Sequence, residues 1–186
     1  KFFHKYDCYV STAIVSWGDN TSRSTIQNNT IEANGFCKGI ESSDADILNN
    51  TMSHDFTGAY NWCCHYQENE MYAIGWGSDN YIYGNNITNF ENGMYFSGYN
   101  NNIVDSNFIQ VNRRGVYAPS SDSLIITNNT IQTNINEIIY TTNGGSTVKY
   151  NLLLTSSGRG IHCENQAGIE FSNNTIISSG SGDYGV

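Results

Sequence analysis

Positive charge is scarce in this chain. Its 186 residues carry 8 Lys and Arg against 17 Asp and Glu, a net charge of −9, and charged residues of both signs make up only 13%. Phosphate backbones are gripped by clustered Lys and Arg, and the longest basic run is Arg113-Arg114. A nucleic-acid partner is therefore not expected. Long apolar runs are missing too, so no membrane span is expected. Lys1-Phe2-Phe3-His4 lacks the apolar core and cleavage site of a signal peptide. Ala and Lys/Glu pairs are few, which argues against helices. Asn, Ser, Thr, Gly, Ile and Tyr abound, and these form strands and turns. Aromatics at 13%, with regular apolar positions, exclude disorder.

What is present is a repeat. An apolar residue, two variable residues, Asn, one variable residue and a second apolar residue recur seven times. The first copy runs Ile26-Gln-Asn-Asn29-Thr-Ile31 and the last Phe171-Ser-Asn-Asn174-Thr-Ile176. The anchor asparagines are Asn29, Asn50, Asn85, Asn107, Asn129, Asn151 and Asn174, at intervals of 21, 35, 22, 22, 22 and 23 residues. A second phrase follows most anchors: Gly39-Ile40, Gly93-Met94, Gly115-Val116, Glu137-Ile138, Gly160-Ile161 and Gly185-Val186. Each unit thus holds at least two short strands. A period near 22 without helical spacing fits one rung of a parallel β-helix. The anchor Asn is expected where the chain turns, because Asn tolerates left-handed backbone and its amide can bond the rungs above and below.

The expected fold is all-β, a parallel β-helix of about seven to eight rungs in one domain, residues 1–186. Residues 1–23 read as a partial first rung, with Asp7 in an anchor position. The long interval places a loop insertion at residues 53–72. No polar capping helix is visible at either end, which suggests a fragment of a longer protein or a subunit that stacks end to end.

These repeats resemble the right-handed parallel β-helix repeats of the pectate-lyase-like superfamily, including periplasmic NosD-type proteins and surface disaggregatases of methanogens, over roughly residues 24–186. The resemblance implies the right-handed fold and a secreted or cell-surface location. Its members include polysaccharide lyases, hydrolases, epimerases, phage tailspikes and non-enzymatic surface proteins. It leads to a polysaccharide-binding protein, with cleavage as a lyase, hydrolase or epimerase an open further step, against a non-catalytic surface or fibre protein that can carry glycans and stack end to end. The polygalacturonase motifs Asn-Thr-Asp, Asp-Asp, Gly-His-Gly and Arg-Ile-Lys are missing, which puts two-carboxylate hydrolysis in doubt.

Alternation in the Gly-Ile strand places Ile40, Ile74, Met94, Val116, Ile138 and Ile161 inward. Trp76, Phe96, Ala118, Tyr140 and Cys163 follow two residues on. Glu41, Gly75, Tyr95, Tyr117, Ile139 and His162 then face solvent, as do Thr141 and Glu164. The glycines are expected to leave a flat groove there. Tyr95 and Tyr117 would stack on sugar rings, while Arg113, Arg114 and Arg159 would hold acidic or hydroxyl groups. His162, Tyr117, Arg159 and Glu164 form the catalytic expectation, with His162 moving the proton. His54 and His65 in the insertion would close one end of the site. Their spacing with Cys63 and Cys64 matches no standard zinc site, and the scattered Asp and Glu give calcium only weak support. No cofactor is therefore expected.

Six Asn-x-Ser/Thr sequons begin at Asn20, Asn28, Asn49, Asn86, Asn128 and Asn173. They are glycosylation candidates in a glycosylating pathway, and four fall directly out of the repeat. The cysteines are Cys8, Cys37, Cys63, Cys64 and Cys163, an odd number. Cys37 is placed to bridge Cys63 or Cys64, and Cys163 is expected to be a core thiol.

Overall fold

Parallel neighbours cannot be joined by a tight hairpin. A chain of short parallel strands must therefore travel round before it pairs again, and a regular period makes it a coil. The computed structural model describes residues 12–18, 21–33, 38–54, 71–142, 144–164 and 167–180. Its 21 strands, numbered in chain order, form three seven-stranded sheets. Sheet A contains β1 (Thr12–Trp17), β4 (Lys38–Ser43), β7 (Tyr72–Gly75), β10 (Asn92–Tyr95), β13 (Arg114–Ala118), β16 (Ile139–Thr142) and β19 (Ile161–Glu164). Sheet B runs from β2 (Ser24–Gln27) to β20 (Glu170–Ser172), and sheet C from β3 (Thr30–Glu32) to β21 (Thr175–Ser178), each taking every third strand. All the pairings are parallel. The fold is therefore an all-β parallel solenoid of about six turns, slightly fewer than the seven to eight rungs expected.

The interior is three apolar ladders. Sheet A contributes Ile40, Ile74, Met94, Val116, Ile139 and Ile161. Ile82, Val104, Ile126 and Val148 come from sheet B, and Ile87, Ile109, Ile131 and Leu153 from sheet C. All pack into one cluster. Among the described residues no helix is long and apolar enough to cross a membrane.

The seven anchor asparagines form one continuous ladder between sheets B and C. Each Nδ2 donates to the Oδ1 of the next anchor at 2.9–3.0 Å, and the same Oδ1 accepts the backbone N–H at 2.8–3.0 Å. From Asn50 onward, Nδ2 also donates to a carbonyl of the preceding turn, from Ile26 to Val148, at 2.8–2.9 Å. The expected left-handed residue is not the anchor itself. It is the residue before it: Asn28, Asn49, Gly84, Ser106, Asn128, Tyr150 and Asn173 all have φ between 53° and 67°. That residue turns the corner and frees the anchor side chain to point inward. A shorter ladder at the A–B corner, Ser42–Asn80–Asn102, has the same logic and no anchor phrase to announce it.

Three orientation expectations in sheet A are corrected. Val116 pairs with Ile139, not Ile138. The slip by one residue turns every following side chain over, so Ile139 and Thr141 are fully buried and Tyr140 faces outward beside Tyr117 and His162. Both isoleucines are buried, so alternation alone could not choose between them. Trp76 leaves the core ladder. Its backbone is left-handed (φ 53°) and the Lys38 ammonium sits 4.5 Å from its ring. The glycines do not flatten the outer face. A Cβ on Gly93 would come within 2.6 Å of Ile109 Cγ2, so this position lies against the sheet C core ladder as the chain enters sheet A.

Ile74 takes its expected place in β7. Most of the expected insertion, with His65, Cys63 and Cys64, lies outside the described residues, as do Asp7, Cys8, Asn20 and Cys37.

An Asn107→Ala substitution is expected to take the acceptor from one N–H of the Asn85 amide and from the Asn85 backbone N–H, and a donor from the Ile82 carbonyl, all in a buried site. At about 1–3 kcal/mol per unsatisfied group, denaturant unfolding should show a loss of about 3 kcal/mol or more. Asn174→Ala, at the half-buried last anchor, should lose roughly 1 kcal/mol.

Candidate ligand-binding face

The pleat fixes what sheet A shows to the outside. Tyr95, Tyr117, Tyr140 and His162 are register partners on successive strands. Their rings follow one another at centroid distances of 5.5, 5.1 and 5.0 Å. The row continues to Tyr72, whose ring stacks on Tyr95 at 5.4 Å and 11°. Tyr72 is not the register partner of Tyr95; Gly75 is. A side chain at Gly75 would strike the Tyr72 ring at 2.7 Å, so that missing side chain lets a tyrosine from three residues earlier complete the row. Five aromatic rings thus run across five strands.

Charged groups flank the rings. Arg114 lies 4.2 Å over the Tyr117 ring and its Nε pairs with Glu137 Oε2 at 3.2 Å. Arg159 Nη1 is 2.9 Å from His162 Nδ1, and His162 Nε2 is 3.0 Å from Glu164 Oε1. An unprotonated Nδ1 accepts from Arg159, and a protonated Nδ1 donates to Glu137, so the tautomer decides which of the two it pairs with. Glu137 Oε1 also faces Nδ1, at 3.4 Å. Tyr140 donates its hydroxyl to Glu164 Oε2 at 3.2 Å. At the other end Glu41 accepts from Lys38 at 2.8 Å, Tyr72 at 2.7 Å and Thr12 at 2.6 Å.

Burial alone would raise the Glu137 carboxyl, but its own backbone N–H, Arg114 and His162 together hold it below the ordinary value. Glu41 is likewise lowered: its donors, led by Lys38, outweigh burial. Burial, with Glu164 beside it, raises the Tyr140 phenol, which therefore stays a donor. Burial pushes the Cys163 thiol up to about 11, so at neutral pH it is a partly buried, uncharged thiol.

The structure brings Tyr95, Tyr117, Arg114, Arg159, His162 and Glu164 onto one face. Arg113 and His54 make other contacts. The Arg113 guanidinium reaches the Asn136 amide, whose oxygen faces it at 3.0 and 3.3 Å. His54 follows the strand Thr51–Ser53 directly and is 3% exposed, with its ring edge against Phe90 at 5.6 Å. His65 lies outside the described residues. Tyr72, Tyr140, Glu137, Lys38 and Glu41 were missed as site residues. Tyr140 needed the correct register, and Tyr72 needed the vacancy at Gly75. The expected sugar stacking on Tyr95 and Tyr117 is limited, because neighbouring rings and Arg114 cover much of their faces. The face therefore offers ring edges, hydroxyls and ion pairs. Among the described sequons, Asn28, Asn49, Asn86, Asn128 and Asn173 are all exposed, and Asn128 Nδ2 donates to Asp105 at 2.9 Å.

Three parallel sheets closed around one apolar core, with an asparagine ladder at a corner, define a parallel β-helix protein. The family model described as periplasmic copper-binding protein (NosD) matches residues 64–186, about two thirds of the chain. The chain belongs to this family of right-handed parallel β-helices. Searches of curated proteins and of solved structures found no match.

Because Glu137 is lowered in the folded state, its stabilising contribution is present above about pH 4.5. It is lost as pH falls through the lower folded value. Glu137→Gln should therefore unfold more easily than wild type at pH 7, by on the order of 1–2 kcal/mol. The gap should close below about pH 4.5, as read from paired thermal unfolding curves over pH 3–7.

Proposed function

We propose that the outer face of sheet A is a polysaccharide-binding surface on a protein that works outside the cytoplasm, secreted or at the cell surface. The observation that carries this reading is the row Tyr95–Tyr117–Tyr140–His162, backed at one end by the fully buried Tyr72 and flanked by Arg114, Glu137, Arg159 and Glu164. A linear ligand needs repeated, evenly spaced partners, and a β-helix supplies them one turn apart, about 4.8 Å. Tyrosine hydroxyls and edges contact sugar rings, and Arg forks hold hydroxyl or carboxylate groups. The periplasmic description of the family supports the location.

Binding is favoured over cleavage. A lyase or epimerase needs a base free to take a proton, and His162 is held between Arg159, Glu137 and Glu164. Mutual satisfaction of these groups also favours the second reading, a structural surface protein whose charged face only stabilises the coil.

Copper, named in the family description, is not fitted by the described residues. Among them no three His, Cys, Asp or Glu side chains are grouped to hold a metal ion, and His162 stands beside a guanidinium. No step through copper is assigned to this face.

Affinity electrophoresis against acidic and neutral polysaccharides tests the proposal. Wild type should be retarded by at least one of them. Tyr117→Ala should weaken that retardation about tenfold, the loss of roughly 1.4 kcal/mol of contact. His162→Ala should retain most of it. Absence of retardation in the wild type favours the structural reading. Release of oligosaccharide by the wild type, abolished in His162→Ala with binding intact, would make the protein an enzyme.

A further inference from the structure

A separate cleft lies at the corner where the chain passes from sheet C to sheet A, on the third to fifth described turns of sheet C. It is about 300 Å³ and is lined by Asn89, Glu91, Gln110, Val111, Asn112 and Asn134. The lining is almost entirely amide, with one carboxylate. Glu91 is 5% exposed. Among the described residues its two oxygens accept only from Asn112 Nδ2, at 3.2 and 3.1 Å, and no cation forms an ion pair with it. A carboxylate has about four acceptor sites, so roughly half of this one is still unfilled.

The cleft is also held rigid. The Glu91 carbonyl accepts the Arg113 backbone N–H at 2.8 Å, Asn89 N–H donates to the Gln110 carbonyl at 2.9 Å, and Asn112 N–H donates to the Phe90 carbonyl at 2.9 Å. The side chains form a directed series: Asn134 donates to Asn112 Oδ1 at 3.4 Å, and Asn112 donates to Glu91. Asn89, Gln110 and Asn134 are exposed at the rim, where their amides present donors and acceptors side by side.

We propose that this cleft is a second binding site, which takes one neutral pyranose unit through vicinal hydroxyls. Two adjacent hydroxyls can donate to the free lone pairs of Glu91, and their oxygens can accept from amides such as Gln110. An anionic sugar is rejected by the carboxylate. A bare divalent cation is a poor fit, because calcium takes six to eight oxygens, usually including several carboxylates, and only one is here. An apolar ligand would find only Val111. The volume is at the lower end of ligand pockets, about 300–1,000 Å³, which suits one sugar unit and not a chain. The site differs in chemistry and residues from the sheet A face, so either can stand without the other.

The test is titration calorimetry of the full chain with neutral gluco-, manno- and galacto-oligosaccharides, and with a uronate oligosaccharide as the excluded ligand. Wild type should bind at least one neutral oligosaccharide saturably. Glu91→Gln should weaken that binding at least tenfold. Gln110→Ala, an exposed substitution that leaves the fold intact, should weaken it severalfold. Tyr117→Ala should leave it unchanged. Failure of all neutral oligosaccharides to bind overturns the proposal, as does unchanged affinity in both Glu91→Gln and Gln110→Ala. Binding lost in Tyr117→Ala but kept in the two cleft variants assigns the sugar to sheet A and likewise overturns it.

Discussion

Everything in this molecule depends on the asparagine ladder. A parallel coil has no hairpins to pin its register, and apolar ladders tolerate a slip of one turn against the next. A buried primary amide does not. Each anchor must find an amide above it and a carbonyl of the preceding turn, and the interior anchors are only 1–2% exposed. A slipped anchor would leave buried donors and acceptors without partners, at about 1–3 kcal/mol each. The ladder therefore converts a repeat of about 22 residues into fixed stacking, and fixed stacking places every outer side chain in line with its equivalents.

The sheet A face follows from that constraint. Once the strands stack in register, tyrosines at equivalent positions come to about 5 Å from one another, and Arg114, Glu137, Arg159 and Glu164 fall beside them. The same regularity that would serve a linear polysaccharide also lets neighbouring side chains satisfy one another. That is why the face carries both stability and the proposed binding, and why its ionisation is biased toward charged Glu137 and protonated Tyr140.

The fold was legible because it is periodic. Anchor spacing, absence of helical pattern and the Gly-Ile phrase specify a parallel β-helix without any distant comparison. The left-handed corner residue was harder to see, since Asn28, Gly84, Ser106 and Tyr150 share no side-chain chemistry and only their place before the anchor unites them. The candidate site was half legible. Tyr95, Tyr117, His162 and Glu164 follow from simple alternation, and Arg114 and Arg159 from their nearness to that strand in the sequence. Tyr140 and Glu137 were lost to a one-residue slip where Ile138 and Ile139 are equally apolar, and Tyr72 was lost because Gly75 acts through what it lacks. The cleft around Glu91 has no repeat signature, because its lining comes from turns whose sequence varies.

The register that puts Tyr140 outside, against Tyr117, is the point at which sequence pattern and structure part. A double-mutant cycle of Tyr117→Ala and Tyr140→Ala on unfolding free energy measures it most directly. Two rings in contact on the outer face should couple by about 0.5–1.5 kcal/mol, with modest losses in each single variant. Zero coupling, together with a loss of about 3–5 kcal/mol in Tyr140→Ala alone as for an aromatic removed from a core, would place Tyr140 inside and contradict the register.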